Sequence, residues 1–324
     1  MTAIDIPNAS VASESPRRQI IPSWISSRLL SSLIAIWSTI TITFIALAAS
    51  TNPGAAMAGP AAQPGDIERI NQQLGFDGPI LNRYFTFVTS VLTGNLPGSI
   101  RTGENPFGLV LTRLPASLLL GGWALAISVV AGLAIGYLAA TPGRWITRRA
   151  PATLATAVES VPPFFLGVVG VFVFAVWLGW LPTGGSGSPA HLVMPVLTLA
   201  IAFIPAIARV FRVEVARALR ADHVRAAYSR GIPGWKIHIR HVGVNALIPT
   251  LNVVGTHGGV LLGGAILTES VFSWPGVGQL TIDAVANSDY CVVVASVTVI
   301  AVGYVLITFV IDVLSTLLDP VSRS

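Results

Sequence analysis

A single cysteine, Cys291, occurs in the whole chain. That excludes an intrachain disulfide and a cysteine-based metal site. Charged side chains are scarce too, at 10% of residues, where an ordinary soluble domain carries about a quarter. No Gly-rich phosphate loop ending in Lys-Ser or Lys-Thr is present, so the chain does not itself hydrolyse ATP. No spacing of Ser, His and Asp suggests a nucleophilic triad, and the chain does not read as an enzyme. His238 and His241 lie three residues apart with neither an acid nor a cysteine nearby, a poor metal site. They suit a solvated or partner-facing role, and no metal is expected. There is no convincing internal repeat and few buried acids, which argues against a secondary transporter or channel.

What fills the chain instead is apolar. Hydrophobic residues make up 53% of it, and mean hydropathy is +0.74. That composition defines a polytopic membrane protein of the all-α class. A net charge of +5 with a pI near 10.0 would suggest nucleic acid in a soluble protein. Here the basic residues gather in a few loops, and no nucleic-acid partner is expected.

Six stretches approach the roughly 20 apolar residues that a span requires. They are 29–49, 114–140, 152–178, 191–211, 249–267 and 292–314. A polar tail, 1–28, precedes the first, which reads as an uncleaved helix rather than a signal peptide. Residues 50–113 form a long loop, and 114–318 a transmembrane domain with an inner loop at 212–248. With the N-terminus in the cytoplasm, the inner segments hold all but four of the 19 Lys and Arg residues. The four are Arg69, Arg83, Arg101 and Arg113, all in 50–113. The positive-inside rule therefore places both termini in the cytoplasm.

The densest charge is the block 209–249, RVFRVEVARALRADHVRAAYSRGIPGWKIHIRHVGVNALIP. So basic an island between spans implies a partner on that side. Asp222 is the expected N-cap of a short helix, 223–230. Gly231 is its left-handed end, and Pro233 forbids continuation. Ala226 and Ala227 at its centre let another surface approach the backbone.

The opposite loops carry their own signals. In 50–113, residues 67–74 and 80–92 read as amphipathic helices. A loop this long docks to something or works. The segment 269–290 contains ESVFSWPGVGQL, aromatic and turn-rich, suited to folding back onto a pore mouth. Its gate candidates are Glu269, Phe272, Trp274, Pro275 and Gly276. His257, within the fifth span, is a candidate pore contact or an interhelical hydrogen-bond partner. Glu159 is expected to pair with an inner arginine, and Asp312 to be structural. Gly259 and Gly263 form a small-xxx-small face, expected to give close helix packing, with the interface to a second permease subunit as one place for it.

Taken together, these motifs resemble one family. The segments are LGFDGPILNRYFTFV (74–88), RLPASL (113–118), SVPPFFLG (160–167), LGWLPTGG (178–185) and HLVMPVLTLA (191–200). DHVRAAYSRG (222–231), RHVGVNALIP (240–249), TESVFSWPGVGQL (268–280), VLITFVID (305–312) and LLDP (317–320) follow in order. The chain resembles the permease subunits of bacterial oligopeptide/dipeptide ABC importers. The resemblance implies a type I importer permease fold in the bacterial cytoplasmic membrane. It implies that Arg225, Ala226, Ala227, Tyr228, Gly231 and Pro233 belong to a coupling helix that docks on an ATP-binding subunit. Implied partners are a second homologous permease, two ATP-binding subunits and an extracytoplasmic solute-binding protein. ATP and Mg would be bound by the ATP-binding subunits, leaving no cofactor in this chain. The implied cargo is a di- or oligopeptide; glutathione, haem, and nickel or another metal chelate stay open. The sequence departs from the pattern at Arg225, where an acid is frequent, at Ala55 and Asn95, and at His257, where Gln is frequent.

Overall fold

The computed structural model describes residues 20–48, 63–73, 79–141, 157 and 159–318. The N-terminal tail, the loop after Thr141 with the opening of the third stretch, and the C-terminal residues lie outside these. So does 49–62, which contains Ala55. Among the described residues the chain is helical, with no strand.

Helix α1 covers Ile20–Ala48, α2 Pro64–Gln73 and α3 Ile80–Thr93. Helix α4 is Pro106–Ala140, α5 Pro163–Gly170 and α6 Pro189–Leu219. Helix α7 is Asp222–Ser229, α8 Val244–Gly264 and α9 Ile266–Val271. Helix α10 is Val277–Ala286 and α11 Tyr290–Leu318. A π-helical stretch, Val171–Trp177, prolongs α5. Another, Ile237–Gly243, leads into α8 from a single turn at Gly234–Lys236. Among the described residues four segments are long and apolar enough to cross a membrane: Leu30–Ala48, Pro106–Ala140, Pro189–Leu219 and Tyr290–Ser315.

Helix α4 starts eight residues before the expected boundary at Leu114. The local chemistry explains why. Asn105 caps it, accepting from the N–H groups of Phe107 at 2.9 Å and Gly108 at 3.2 Å. Pro106 follows at the first position, where its missing N–H costs nothing. Arg113, read as the end of a loop, sits inside the helix.

The bundle is built on α4 against α6. Small residues recur along α4 at Ser117, Gly121, Ala124, Ser128, Gly132 and Gly136, all buried. They let the two backbones meet. Ser128 Oγ donates to the carbonyl of Ala200 on α6 at 3.2 Å. A methyl group at Gly136 would lie 2.6 Å from the carbonyl oxygen of Ala208, a backbone atom that cannot step aside. Gly136→Ala is therefore expected to cost about 1–3 kcal/mol through overpacking. Gly122→Ala, where nothing lies within 4 Å of the new methyl, should leave stability unchanged. Thermal unfolding of the two variants in detergent checks this; equal melting temperatures would refute the close-crossing account.

Among the described residues three apolar cores divide the bundle. One joins α1, α3, the start of α4, α10 and the start of α11, around Phe44, Phe87, Val110 and Val294. The second lies in the middle, around Leu120, Leu199, Leu261 and Trp274. The third closes the far end, where Phe211, Val215, Val224, Ala227 and Ile237 pack together.

Candidate functional site

The α7 end of the bundle matches the expected helix to within one residue at each boundary. Its start differs in detail. The capping position is Ala221, with no side-chain cap bond, and Asp222 is the first helical residue. There its charge still complements the helix dipole. The far end is a Schellman closure. The N–H of Ile232 donates to the carbonyl of Ala227 at 3.2 Å, and that of Gly231 to Tyr228 at 3.0 Å. Gly231 takes φ +71°, the left-handed conformation that glycine tolerates. Pro233 caps the next turn.

The two alanines divide between faces. Ala227 is 4% exposed and packs with Val224 into the chain's own core. Ala226 faces outward, together with Arg225, Tyr228 and Gly231. The expectation that Ala227 meets a partner is corrected: it seats α7 on this chain. Tyr228 hydroxyl lies 3.2 Å from Nε2 of His238, whose ring meets Tyr137 edge-on. His223 and His241 sit with ring centroids 6.5 Å apart.

The segment after α8 is a second built site. Glu269 is 1% exposed. Its Oε1 accepts from the Ser117 hydroxyl at 2.7 Å. Its Oε2 accepts from the N–H groups of Gly278 at 2.7 Å and Gln279 at 3.2 Å. Ser117 Oγ in turn accepts from the N–H of Val277 at 2.8 Å. The first three N–H groups of α10 are thereby satisfied by two side chains from elsewhere in the sequence. Burial pushes the Glu269 carboxyl up from its ordinary range, and these donors pull the other way, Ser117 first. A methyl at Gly276 would lie 2.2 Å from Oε2, so the glycine makes room for the carboxylate.

Aromatic residues lock the same node. Trp274 Nε1 donates to the carbonyl of Ala116 at 3.0 Å. The buried Phe272 ring lies against Gly167, and its carbonyl accepts from the Gly185 N–H at 2.7 Å. Of the five gate candidates, Glu269, Phe272, Trp274 and Gly276 are buried within the chain, and Pro275 is half-buried. Sequence reasoning missed Ser117. The signal was the pair of glycines, 276 and 278, soon after an acid.

His257 is half-buried and packs on Phe203 of α6, ring centroids 4.9 Å apart. Glu159 pairs with Arg209, and Asp312 with Arg28 at 3.3 Å. Gly259 faces Tyr304 of α11, and Gly263 faces Ile300. That packing is internal to this chain, between α8 and α11. Gly255, one step earlier, faces Ile311 in the same row. An apolar cavity of about 320 Å³ opens between α5 and α6, lined by Leu166, Val169, Val173, Met194, Thr198 and Ile201 among others.

Residues 132–324 match the family described as binding-protein-dependent transport system inner membrane component, and 22–115 match its N-terminal region. The glutathione transport system permease protein GsiC of Escherichia coli K12 is 34% identical over 273 residues, 84% of this chain and 89% of that protein. The "Probable peptide ABC transporter permease protein y4tP" of Sinorhizobium fredii is 33% identical over 303 residues, 90% of this chain and 97% of that one. A crystal structure of the MetNI methionine ABC transporter in an inward-facing conformation has TM-score 0.51 at 20% identity, covering 65% of this chain and 96% of that one. This last likeness concerns the fold alone.

The chain belongs to the binding-protein-dependent inner-membrane component family. It is the permease subunit of an ABC importer, a multi-pass inner-membrane protein and not an enzyme. Such a subunit works with ATP-binding partners and a substrate-binding protein.

Proposed function

We propose that this chain forms half of a peptide pathway through the cytoplasmic membrane, with short peptides, glutathione among them, as cargo. The observation that carries the cargo is the shared length and identity with permeases named for glutathione and peptide. The cavity between α5 and α6 presents almost no polar group beyond Thr198. Such a cavity offers no group for charged peptide ends, which supports selection by the binding protein. The chain has six spans, the first at 29–49 and, after the 50–113 loop, five more in the domain 114–318, with both termini inside. A second homologous permease supplies the other half, and two ATP-binding subunits supply ATP and Mg. A nickel-chelate or haem importer of the same family is the second reading, and an ATP-independent carrier the outlying one.

In this reading α7 is the coupling helix. Arg225, Ala226, Tyr228 and Gly231 meet the ATP-binding subunit, Ala227 anchors α7 from behind, and Pro233 stops it. His257 keeps exposed surface and is the pore-contact candidate. The Glu269 node frames the gate rather than lining it. Co-purification in mild detergent should recover a second permease, ATP-binding subunits and a binding protein whose ligand can be assayed. Recovery alone with ATP-independent transport would overturn the reading. Ala226→Leu should lower recovery of the ATP-binding subunit at least several-fold with the chain's own stability unchanged. Ala227→Leu should instead destabilise the chain by about 1–3 kcal/mol. The reverse pattern would show that α7 faces the other way.

A further inference from the structure

Between Asp222 and Glu269 the chain contains no acidic residue, yet it holds Arg225, Arg230, Lys236 and Arg240. Arg225 and Arg230 lie on or beside α7. Lys236 and Arg240 lie on the lead-in to α8, and both are exposed. Among the described residues neither pairs with a carboxylate. Two large apolar side chains share their face. Trp235 is 65% exposed and Ile239 66%, while Ile237 and Val242 turn inward and are buried. Lys236 Nζ sits 5.8 Å from the Trp235 ring centroid. The face therefore alternates apolar and cationic groups one helical turn apart, and among the described residues nothing covers it.

Helix length says where this face sits. From Gly234 the π-helical stretch runs into α8 without leaving helical backbone, as far as Gly264. At 1.5 Å per residue that helix is roughly 45 Å long. The hydrocarbon layer is about 30 Å thick. If this continuous helix ends near one edge of the hydrocarbon at Gly264, roughly the first ten residues from Gly234 emerge at the other. Those are the residues that hold Trp235, Lys236, Ile239 and Arg240. Indole rings settle at the headgroup level, and Lys and Arg reach from there to phosphate.

We propose that Trp235, Lys236, Ile239 and Arg240 form a contact for anionic phospholipid headgroups in the inner leaflet. The inference rests on the membrane orientation given above, and it adds a partner that the transport reading does not require. Ile239 and Trp235 enter the acyl–headgroup boundary, while Lys236 and Arg240 bind phosphates. The contact fixes the height of the lead-in, and so the height of α7, relative to the membrane.

The test uses the full chain in lipid nanodiscs of phosphatidylcholine alone or with phosphatidylglycerol. Phosphatidylglycerol should raise the melting temperature of the native chain by several degrees. Lys236→Gln with Arg240→Gln should abolish most of that rise while leaving the value in pure phosphatidylcholine unchanged. Trp235→Ala should weaken the rise in part. An equal rise in native and doubly substituted chains would overturn the proposal. So would loss of ATP-binding subunits from the doubly substituted complex with the lipid effect intact, since that places a protein on this face. Both readouts are independent of cargo, so a mistaken cargo assignment would not alter them.

Discussion

Glu269→Ala is expected to destabilise the chain more than any other single substitution outside the main helix crossings. It removes both acceptors at the start of α10. The N–H groups of Gly278 and Gln279 and the hydroxyl of Ser117 then lose their partners in a buried place. Each orphaned group costs about 1–3 kcal/mol. Glu269→Gln should cost less. Its oxygen can keep the two backbone donors, and its amide can donate to Ser117 Oγ. Only the Ser117 proton must then find a new acceptor. The sharper test is a double-mutant cycle with Gly276→Ala. On its own that methyl drives the carboxylate from its seat, because it would sit 2.2 Å from Oε2. Once Glu269 is alanine, the methyl has room. The two substitutions should therefore be strongly less than additive, by more than about 1 kcal/mol. Thermal unfolding in detergent measures all four corners. Simple additivity would mean that the carboxylate and the glycine do not meet, and the node would have to be rebuilt.

That node shows what sequence patterning carries and what it leaves out. The boundaries of α7 were legible because they rest on local rules: an acid near the start, a left-handed glycine, a proline beyond it. The Glu159–Arg209 pair was legible because a lone acid near an apolar stretch must find a cation. The orientation of α7 was not. Both alanines suit a close approach, and only the phase set by Val224 packing on the core decides that Ala227 turns inward. Gly259 and Gly263 pose the same ambiguity. A small-residue row says that two helices touch, and the fold alone says that the second helix is α11. Ser117 was hidden for a different reason. It lies some 150 residues from its partners, and its role follows from a tertiary meeting of α4 with the start of α10.

Gly231→Val should abolish ATP-driven uptake while leaving the bundle folded. Space is not the obstacle, since nothing lies within 4 Å of a side chain added there. The obstacle is backbone conformation. At φ +71° an L-residue pays about 1–2 kcal/mol, and a β-branched one more. Relief requires the chain to leave the left-handed region, which breaks the bonds from Gly231 to Tyr228 and from Ile232 to Ala227. The last turn of α7 would then unwind, and with it the presented face of Arg225, Ala226 and Tyr228. A strain of about 1.4 kcal/mol already shifts such an equilibrium tenfold. Gly231→Asn supplies the control, because asparagine visits the left-handed region readily. Uptake should fall in the order Gly, Asn, Ala, Val, measured in reconstituted complexes alongside cargo-stimulated ATP hydrolysis. Melting temperature should move little, since Gly231 is exposed and lies outside the cores. If Asn and Val behaved alike, the left-handed closure would be irrelevant to coupling. If Val instead unfolded the chain, the left-handed closure would serve the bundle's stability rather than the presented face of α7.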